Sequence, residues 1–230
     1  MNRVERLIRQ SFLELLKKES FYNIHVKDIL ETEQISRTSF YKYYKDKYDL
    51  LDCIQNDLLA DFDQFIAEVR SKHPEAVFIN GVPAETSIFT AVFEFANEHY
   101  DSLNSLFGAN GDGLFFDKVI QHITKMPYFL LDNEALNAAF TEDQWEFINS
   151  FLAYGYLGLI MNWLKQGKNR RSAEEMGDIM AGVVQGFFGN ISLFSLANLE
   201  SIDLTSFDFS KLDLSKLDLS QFTLRGNEDN

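Results

Sequence analysis

Cysteine, proline and glycine are scarce in this chain of 230 residues. The single Cys53 allows no intramolecular disulfide, which is the pattern expected of a protein from a reducing, cytoplasmic compartment. Only three prolines and twelve glycines interrupt long stretches in which apolar residues recur at helical spacing. The sequence therefore predicts an all-α fold. Its 46% of hydrophobic residues is enough to bury a sizeable core.

Positive charge is also scarce, and it is unevenly distributed. The net charge is −14, yet the first fifty residues hold ten Lys and Arg against eight Asp and Glu. The rest of the chain holds eleven against twenty-seven. Because an acidic body repels a phosphate backbone, any contact with nucleic acid is expected through the first fifty residues alone.

Residues for catalysis or metal binding form no recognisable set. The four histidines, His25, His73, His99 and His122, are scattered, and no Cys/His/Asp cluster has metal-ligand spacing. No nucleophile motif occurs, and the glycines near residue 110 lack the strand and the Lys-Ser/Thr ending of a phosphate-binding loop. We therefore expect no enzyme, no cofactor and no metal site.

Residues 20–48, the helix-turn-helix segment, have the pattern of two short helices joined by a tight turn. An apolar stripe beginning at Val26 marks the first helix, residues 31–35 form the turn, and Ser36 can cap a second helix over residues 37–44. Short polar groups at the start of the second helix would face base edges, and tyrosine and lysine around it would reach phosphates. The expected DNA contacts are Arg37, Thr38, Ser39, Tyr41, Lys42, Lys45 and Lys47.

This segment resembles the DNA-binding domain of the tetracycline-repressor (TetR/AcrR) family of bacterial transcription regulators, whose pattern is S-R-x-[ST]-F-Y-x-[YF]-F-x-[DN]-K-x-x-L. The resemblance implies that His25 caps the first helix and contacts a phosphate, where the family usually has Thr or Ser. Lys27 belongs with the same expected contacts. Gln34 stands where the family usually has glycine, which predicts strain in a left-handed turn. The residues that match the pattern are Ser36, Arg37, Ser39, Phe40, Tyr41, Tyr43, Lys47 and Leu50.

Structural roles are the alternative for parts of this segment. Phe40 and Tyr44 are better interpreted as core residues, and a charged run such as KYYKDK is often only solvated surface. The order of residue types over nearly thirty positions nevertheless favours DNA binding.

Two further helices are expected around the segment. One runs from Val4 to Lys18 and begins with Asn2 and Glu5 spaced as a capping box. A longer helix from Asp46 to near Arg70 is apolar on one side and connects the first domain to the body; in the resembled family this helix transmits ligand-induced movement. A loop is expected over residues 71–82.

Two long apolar helices are predicted near the end of the body, at the capping boxes Thr141 with Gln144 and Ser172 with Glu175. Glycine costs a helix about 1 kcal/mol relative to alanine, so its repetition there indicates close approach of another helix. These small residues are Ala153, Gly155, Gly158, Gly182, Gly186 and Gly189. The string AYGYLGLIMNWLKQG is similar to the family's penultimate helix, and in that family the last two helices form the dimer interface. The expected interface residues are Tyr156, Leu159, Trp163, Val183, Gly186 and Phe187.

The middle and the end of the chain differ in how well the resemblance covers them. The string EHYDSLNSLFGANGDGLFFDK is similar to a Firmicutes subgroup of the family, which extends the resemblance to about residue 195. From Ala197 to Gly226 the chain forms six five-residue units that resemble pentapeptide repeats of a β-solenoid. A low-complexity acidic tail is the alternative.

The expected domains are 1–48 for DNA binding, 49–195 for regulation and dimerisation, and 196–230 for the tail.

The predicted protein is a homodimeric transcription regulator that binds a palindromic double-stranded DNA operator. Repression, released by an unidentified small molecule in the body, is what the resemblance implies. One alternative is an activator or adaptor of the same fold that works through a partner protein. The other is a membrane-associated helical protein, because residues 147–164 and 179–199 carry no formal charge.

Overall fold

Helices form almost all of the backbone that the structure describes. The computed structural model describes residues 1–72, 78–79, 82–83, 87–125 and 141–188. Within these ranges the all-α prediction is confirmed, and a 3-10 turn over Gly167–Asn169 links the last two helices. The α-helices are α1 (Arg3–Leu16), α2 (Val26–Thr32), α3 (Arg37–Tyr41), α4 (Lys47–Lys72), α5 (Ser87–Glu98), α6 (Tyr100–Leu106), α7 (Phe115–Lys125), α8 (Glu142–Lys165) and α9 (Ala173–Phe188).

A short pair of strands follows α4, where the sequence predicts only a loop. Strand β1 (Phe78–Ile79) pairs antiparallel with β2 (Val82–Pro83). Phenylalanine, isoleucine and valine favour extended backbone, which accounts for the pairing at these positions. The prediction of a loop over residues 71–82 is therefore wrong at the strands, and α4 itself continues to Lys72.

Helix α1 lies across α2 and α3 and covers their apolar sides. It begins at Asn2, whose Oδ1 accepts the backbone N–H of Glu5 at 3.0 Å, as the capping pattern predicts. Burial of one face of α1 against the helix-turn-helix segment fixes the position of α2 and α3. The buried side chains of this cluster include Ile8, Phe12, Leu16, Phe21, Ile24, Ile29 and Phe40.

The second helix of the segment is shorter than the predicted span of residues 37–44, because α3 ends at Tyr41. The carbonyl of Phe40 accepts the N–H of Tyr43 at 2.9 Å and that of Tyr44 at 3.0 Å. This turn directs the Tyr44 side chain into the core, where it is almost fully buried. The free energy gained by burying the tyrosine ring outweighs the free energy that continuing the helix would give.

Helix α5 forms the centre of the body and packs against α4, α8 and α9. Its closest approach is to α9, where a Cβ atom at Gly177 would lie 2.8 Å from the backbone nitrogen of Thr90. The ring of Phe93 meets Trp163 of α8 edge-on, with the centroids 5.2 Å apart. Both predicted capping boxes are present at the starts of α8 and α9.

The link between α6 and α7 joins the body to the helix-turn-helix segment. Gly113 has φ +75°, a conformation that favours glycine. The carbonyl of Asn110 accepts the N–H of Phe21 at 2.7 Å, and the carbonyl of Asp112 accepts the Tyr22 hydroxyl at 3.1 Å. Movement of this link would therefore displace Phe21 and Tyr22, which lie directly before α2.

Several predictions lie outside the described residues or are not tested by them. The pentapeptide-like units of residues 197–226 and Gly189 fall outside. The domain boundaries at 48 and 195 stay predictions. Among the described helices, none combines the length and the apolarity that crossing a membrane requires.

Candidate DNA interface and body cavity

Ser36 caps α3 and so determines which side chains lie at its exposed end. Its Oγ accepts the N–H of Ser39 at 3.1 Å and lies 2.8 Å from the Ser39 Oγ. Arg37 and Thr38 follow and are exposed, whereas Ser39 is half-buried. Arg37 and Thr38 are therefore available to reach base edges, while Ser39 takes part in the cap.

The turn between α2 and α3 contains the expected left-handed residue. Gln34 has φ +52°, and the Ile35 N–H closes the turn on the carbonyl of Leu30 at 2.9 Å. A residue with a Cβ in this conformation carries strain of about 1 kcal/mol. The prediction drawn from the missing glycine is confirmed.

His25 occupies the N-cap position of α2, as predicted. Its backbone N–H donates to the Asp28 carboxylate at 2.7 Å, and its Nδ1 lies 3.5 Å from the same group. The imidazole remains largely exposed, as does Lys27 in the next position. Both side chains are placed on the surface beside the first turn of α2.

The residues that flank α3 divide into exposed and buried groups. Tyr41, Lys42 and Lys45 are exposed, which matches their expected place beside phosphates. Phe40 and Tyr44 are buried, which confirms their interpretation as core. Of the nine expected DNA contacts, Ser39 and Lys47 alone are not fully exposed.

Lys47 is bonded within the protein, contrary to its expected place beside a phosphate. Its Nζ donates to the carbonyls of Phe21, Tyr22 and Ile24 at 2.8, 3.0 and 2.7 Å. The ammonium also lies 4.8 Å from the centroid of the Phe21 ring. Burial lowers the pKa of Lys47. Since all three N–H groups have carbonyl partners, we replace the phosphate role of Lys47 with a structural one.

Arg9 of α1 joins three parts of the N-terminal region. Its Nε donates to the Tyr44 hydroxyl at 2.8 Å, its Nη1 lies 2.5 Å from the Asp57 carboxylate of α4, and its Nη2 lies 3.4 Å from Glu5. Sequence analysis did not identify this residue. A charged group directly after the buried Ile8 is the available signal, but two of its partners, Tyr44 and Asp57, lie more than thirty residues away.

An apolar cavity of about 70 Å³ lies in the body among α4 to α9. Its wall is almost entirely carbon, and no charged side chain contributes to it. The lining residues are Leu58, Leu59, Phe62, Val92, Phe95, Ala96, Leu103, Phe107, Phe115, Val119, Ile123, Tyr156, Leu157, Ile160 and Met180.

Tyr156 lines this cavity and does not face outwards as an interface residue would. It is 5% exposed, and its hydroxyl is buried without a hydrogen-bond partner among the described residues. Burial raises the pKa of Tyr156 far above its ordinary value, so the hydroxyl stays protonated at neutral pH. Its expected role in dimerisation is therefore corrected, because the side chain belongs to the interior.

Trp163 needs the same correction. It is 1% exposed, and its Nε1 donates to the carbonyl of Arg171 at 2.8 Å. The Arg170 guanidinium lies over the Trp163 ring at 5.0 Å and over Tyr100 at 4.4 Å. Trp163 thus holds the connection between α8 and α9 within one chain. Leu159 is only partly buried against the core, and the Phe187 side chain lies outside the described part.

An exposed face on α8 and α9 combines glycine with apolar residues. Val183 is 62% exposed and Phe147 is 77% exposed. A Cβ atom at the glycines of this face would have no neighbour within 4 Å among the described residues. We call these residues the glycine face: Phe147, Phe151, Gly155, Gly158, Ile179, Gly182, Val183 and Gly186.

Comparison with known proteins agrees with this architecture. The TetR-type family model described as "Transcriptional regulator C-terminal region" (TetR_C_8) matches residues 85–186. A relative from Bacillus subtilis (strain 168), the uncharacterized HTH-type transcriptional regulator YxbF, is 24% identical over 117 residues, which are 51% of this chain and 30% of the relative. These two matches support a TetR-family transcription regulator. The matched part of this chain spans less than a third of the length of this curated relative.

A solved structure supports the all-helical fold. The dihydroxyacetone kinase operon activator DhaS superposes with a TM-score of 0.51 at 17% identity, covering 81% of this chain and 96% of that one. At this level of identity the likeness shows the fold alone.

Proposed function

We propose that α2 and α3 hold this TetR-family protein on a double-stranded DNA operator. Arg37 and Thr38 would contact base edges, and the exposed cations Lys27, Lys42 and Lys45 would contact phosphates. The observation that carries the proposal is the exposure of Arg37 and Thr38 at the capped start of α3, with cations on both sides. The His25 ring, exposed at the start of α2, would add a phosphate contact.

Substitutions at Thr38 and Lys45 form a matched pair that tests the base-contacting role against the phosphate-contacting role. Thr38→Ala is expected to relax sequence preference, with a loss of about 1–3 kcal/mol on the preferred operator alone. Lys45→Ala is expected to weaken binding to all sequences alike and to lower the salt slope by about one. Selection of bound sequences from random DNA, followed by salt titration of each variant, measures both quantities. Equal loss of specificity in the two variants would contradict the assignment.

We infer that two copies associate through the glycine face and bind a palindromic operator. Support comes from the absence of any described neighbour within 4 Å of a Cβ at Gly155, Gly158, Gly182 or Gly186. A second helix could approach such a surface closely, and the exposed Val183 would supply apolar contact. A two-fold dimer presents two copies of α3 to two half-sites, which a palindrome matches.

We further propose that the cavity binds a small-molecule effector and that binding alters the DNA-contacting helices. Leu58, Leu59 and Phe62 of α4 form one wall, while α6 and α7 form another. The α6–α7 link holds Phe21 and Tyr22, whose carbonyls hold Lys47 at the start of α4. A larger occupant of the cavity would therefore displace elements that bond directly to the helix-turn-helix segment.

Repression in the cytoplasm, without catalytic activity, is the regulatory role we propose. Activation is the second candidate, because the structural neighbour DhaS is named as an operon activator. A reporter gene placed downstream of the selected operator distinguishes repression from activation. Deletion of this protein is expected to raise expression if it represses, and to lower expression if it activates.

A further inference from the structure

The wall of the body cavity offers one side-chain hydroxyl and no charge. Fourteen of its fifteen lining residues are aliphatic, methionine or phenylalanine, and the remaining one is Tyr156. Tyr156 is only 5% exposed, yet its hydroxyl has no hydrogen-bond partner among the described residues. Buried hydroxyl groups in folded proteins nearly always have a hydrogen-bond partner. The unpaired hydroxyl therefore points to a missing partner.

Water does not supply that partner well. A buried water is stable when it makes two to four hydrogen bonds, and here it would find the Tyr156 hydroxyl among carbon atoms. An ionised ligand is also unsuited, because no described Lys, Arg, His, Asp or Glu lines the cavity to compensate a buried charge.

We propose that the cavity takes an uncharged, largely apolar ligand with one oxygen or nitrogen placed against the Tyr156 hydroxyl. This inference rests on the proposed effector function and specifies its ligand class. At about 70 Å³ the cavity is about half the size of the engineered 150 Å³ cavity that binds benzene. A ligand with a single ring therefore enters only with displacement of side chains on α4 or α7, which is what a regulatory ligand requires.

The test uses the full chain and one-ring probes, whose binding is measured by isothermal titration calorimetry. The probes are 4-ethylphenol, ethylbenzene and 4-ethylbenzoate, which share one framework and differ in the polar group. In the wild-type protein, 4-ethylbenzoate is expected to bind at least about 100-fold more weakly than 4-ethylphenol. In Tyr156→Phe, the preference for 4-ethylphenol over ethylbenzene is expected to fall about fivefold.

Tyr154→Phe is the matched control, because Tyr154 lies on the same helix and is about half exposed. It is expected to leave the preference unchanged. Two cavity-filling variants, Ala96→Leu and Val119→Phe, report on the site itself and are expected to abolish probe binding while far-UV circular dichroism shows that they remain folded.

The possible failures are distinguishable. Probe binding that is absent from the wild type, or that survives in a folded filling variant, overturns the effector site and with it the ligand class. Binding that both filling variants abolish, but with an unchanged preference in Tyr156→Phe or with tight binding of 4-ethylbenzoate, overturns the ligand class alone.

Discussion

Lys47 is bonded to the backbone and is not exposed beside the DNA interface. Three carbonyls within residues 21–24 accept its N–H groups, so the ammonium holds the chain between α1 and α2 against the start of α4. In the linear sequence Lys47 and Lys45 look alike, since both are lysines in the run KYYKDK. The exposed Lys45 is the one that remains available to DNA.

The two lysines should therefore behave differently when neutralised. Lys47→Met keeps the aliphatic stem but leaves three carbonyls without their charged donor, so unfolding free energy is expected to fall by about 2–4 kcal/mol. Lys45→Met is expected to change stability by about 0.5 kcal/mol or less, as is usual at an exposed position. Urea unfolding of both variants measures the difference. Equal stabilities would mean that the carbonyl contacts of Lys47 contribute nothing.

At the scale of helices, the glycines separate into two kinds by what surrounds them. Gly177 lies where α9 crosses α5, and any Cβ there would meet the backbone of Thr90. Gly182, five residues later on the same helix, lies on the glycine face without a described neighbour. The first glycine is required by packing within one chain, and the second is open to the proposed contact with a partner subunit.

Alanine at these two positions should separate the roles. Gly177→Ala forces α9 away from α5 and is expected to destabilise the protein by about 1–3 kcal/mol, as overpacking does. Gly182→Ala is expected to change stability by about 1 kcal/mol or less, near the difference in helix propensity. Thermal unfolding at several protein concentrations distinguishes chain stability from subunit association. A neutral Gly177→Ala would show that the two helices have room to separate.

For the whole molecule, the proposed subunit contact and the distribution of charge bear on the proposed DNA contact together. Ten Lys and Arg against eight Asp and Glu lie in the first fifty residues, and eleven against twenty-seven lie in the rest, so the acidic body would disfavour DNA everywhere except at α2 and α3. A dimer formed through the glycine face would present two copies of α2 and α3, one to each half-site, and so raise affinity for a palindrome.

Gly186→Leu tests this arrangement. A leucine on the glycine face would hold the proposed partner helix away, so sedimentation is expected to show monomer and operator affinity is expected to fall at least about tenfold. Glu174→Leu is the control, because Glu174 is exposed near the other end of α9 and away from the glycine face. It should remain dimeric. A dimeric Gly186→Leu with normal operator affinity would place the interface elsewhere.

Much of the secondary structure and part of the DNA interface were predictable from the sequence. The caps at Asn2, Ser36, Thr141 and Ser172 join groups within three residues of one another, so the pattern itself contains both partners. The left-handed Gln34 was predicted from the resemblance, because the family usually has glycine at this position of the turn. The exposed positions of Arg37 and Thr38 follow from the cap at Ser36.

The tertiary structure decided which side of each helix faces inwards and what each long side chain meets there. Tyr156 and Trp163 belong to the same apolar helix α8 as residues of the glycine face, and only the packing of α8 against its neighbours decides which of its apolar sides faces inwards. Lys47, Gly177 and the cavity around Tyr156 depend on contacts between residues more than twenty positions apart. The sequence alone determined the local geometry of the chain, because caps and periodicity act over a few residues. Partners across helices were decided only by packing, because they depend on how the helices cross.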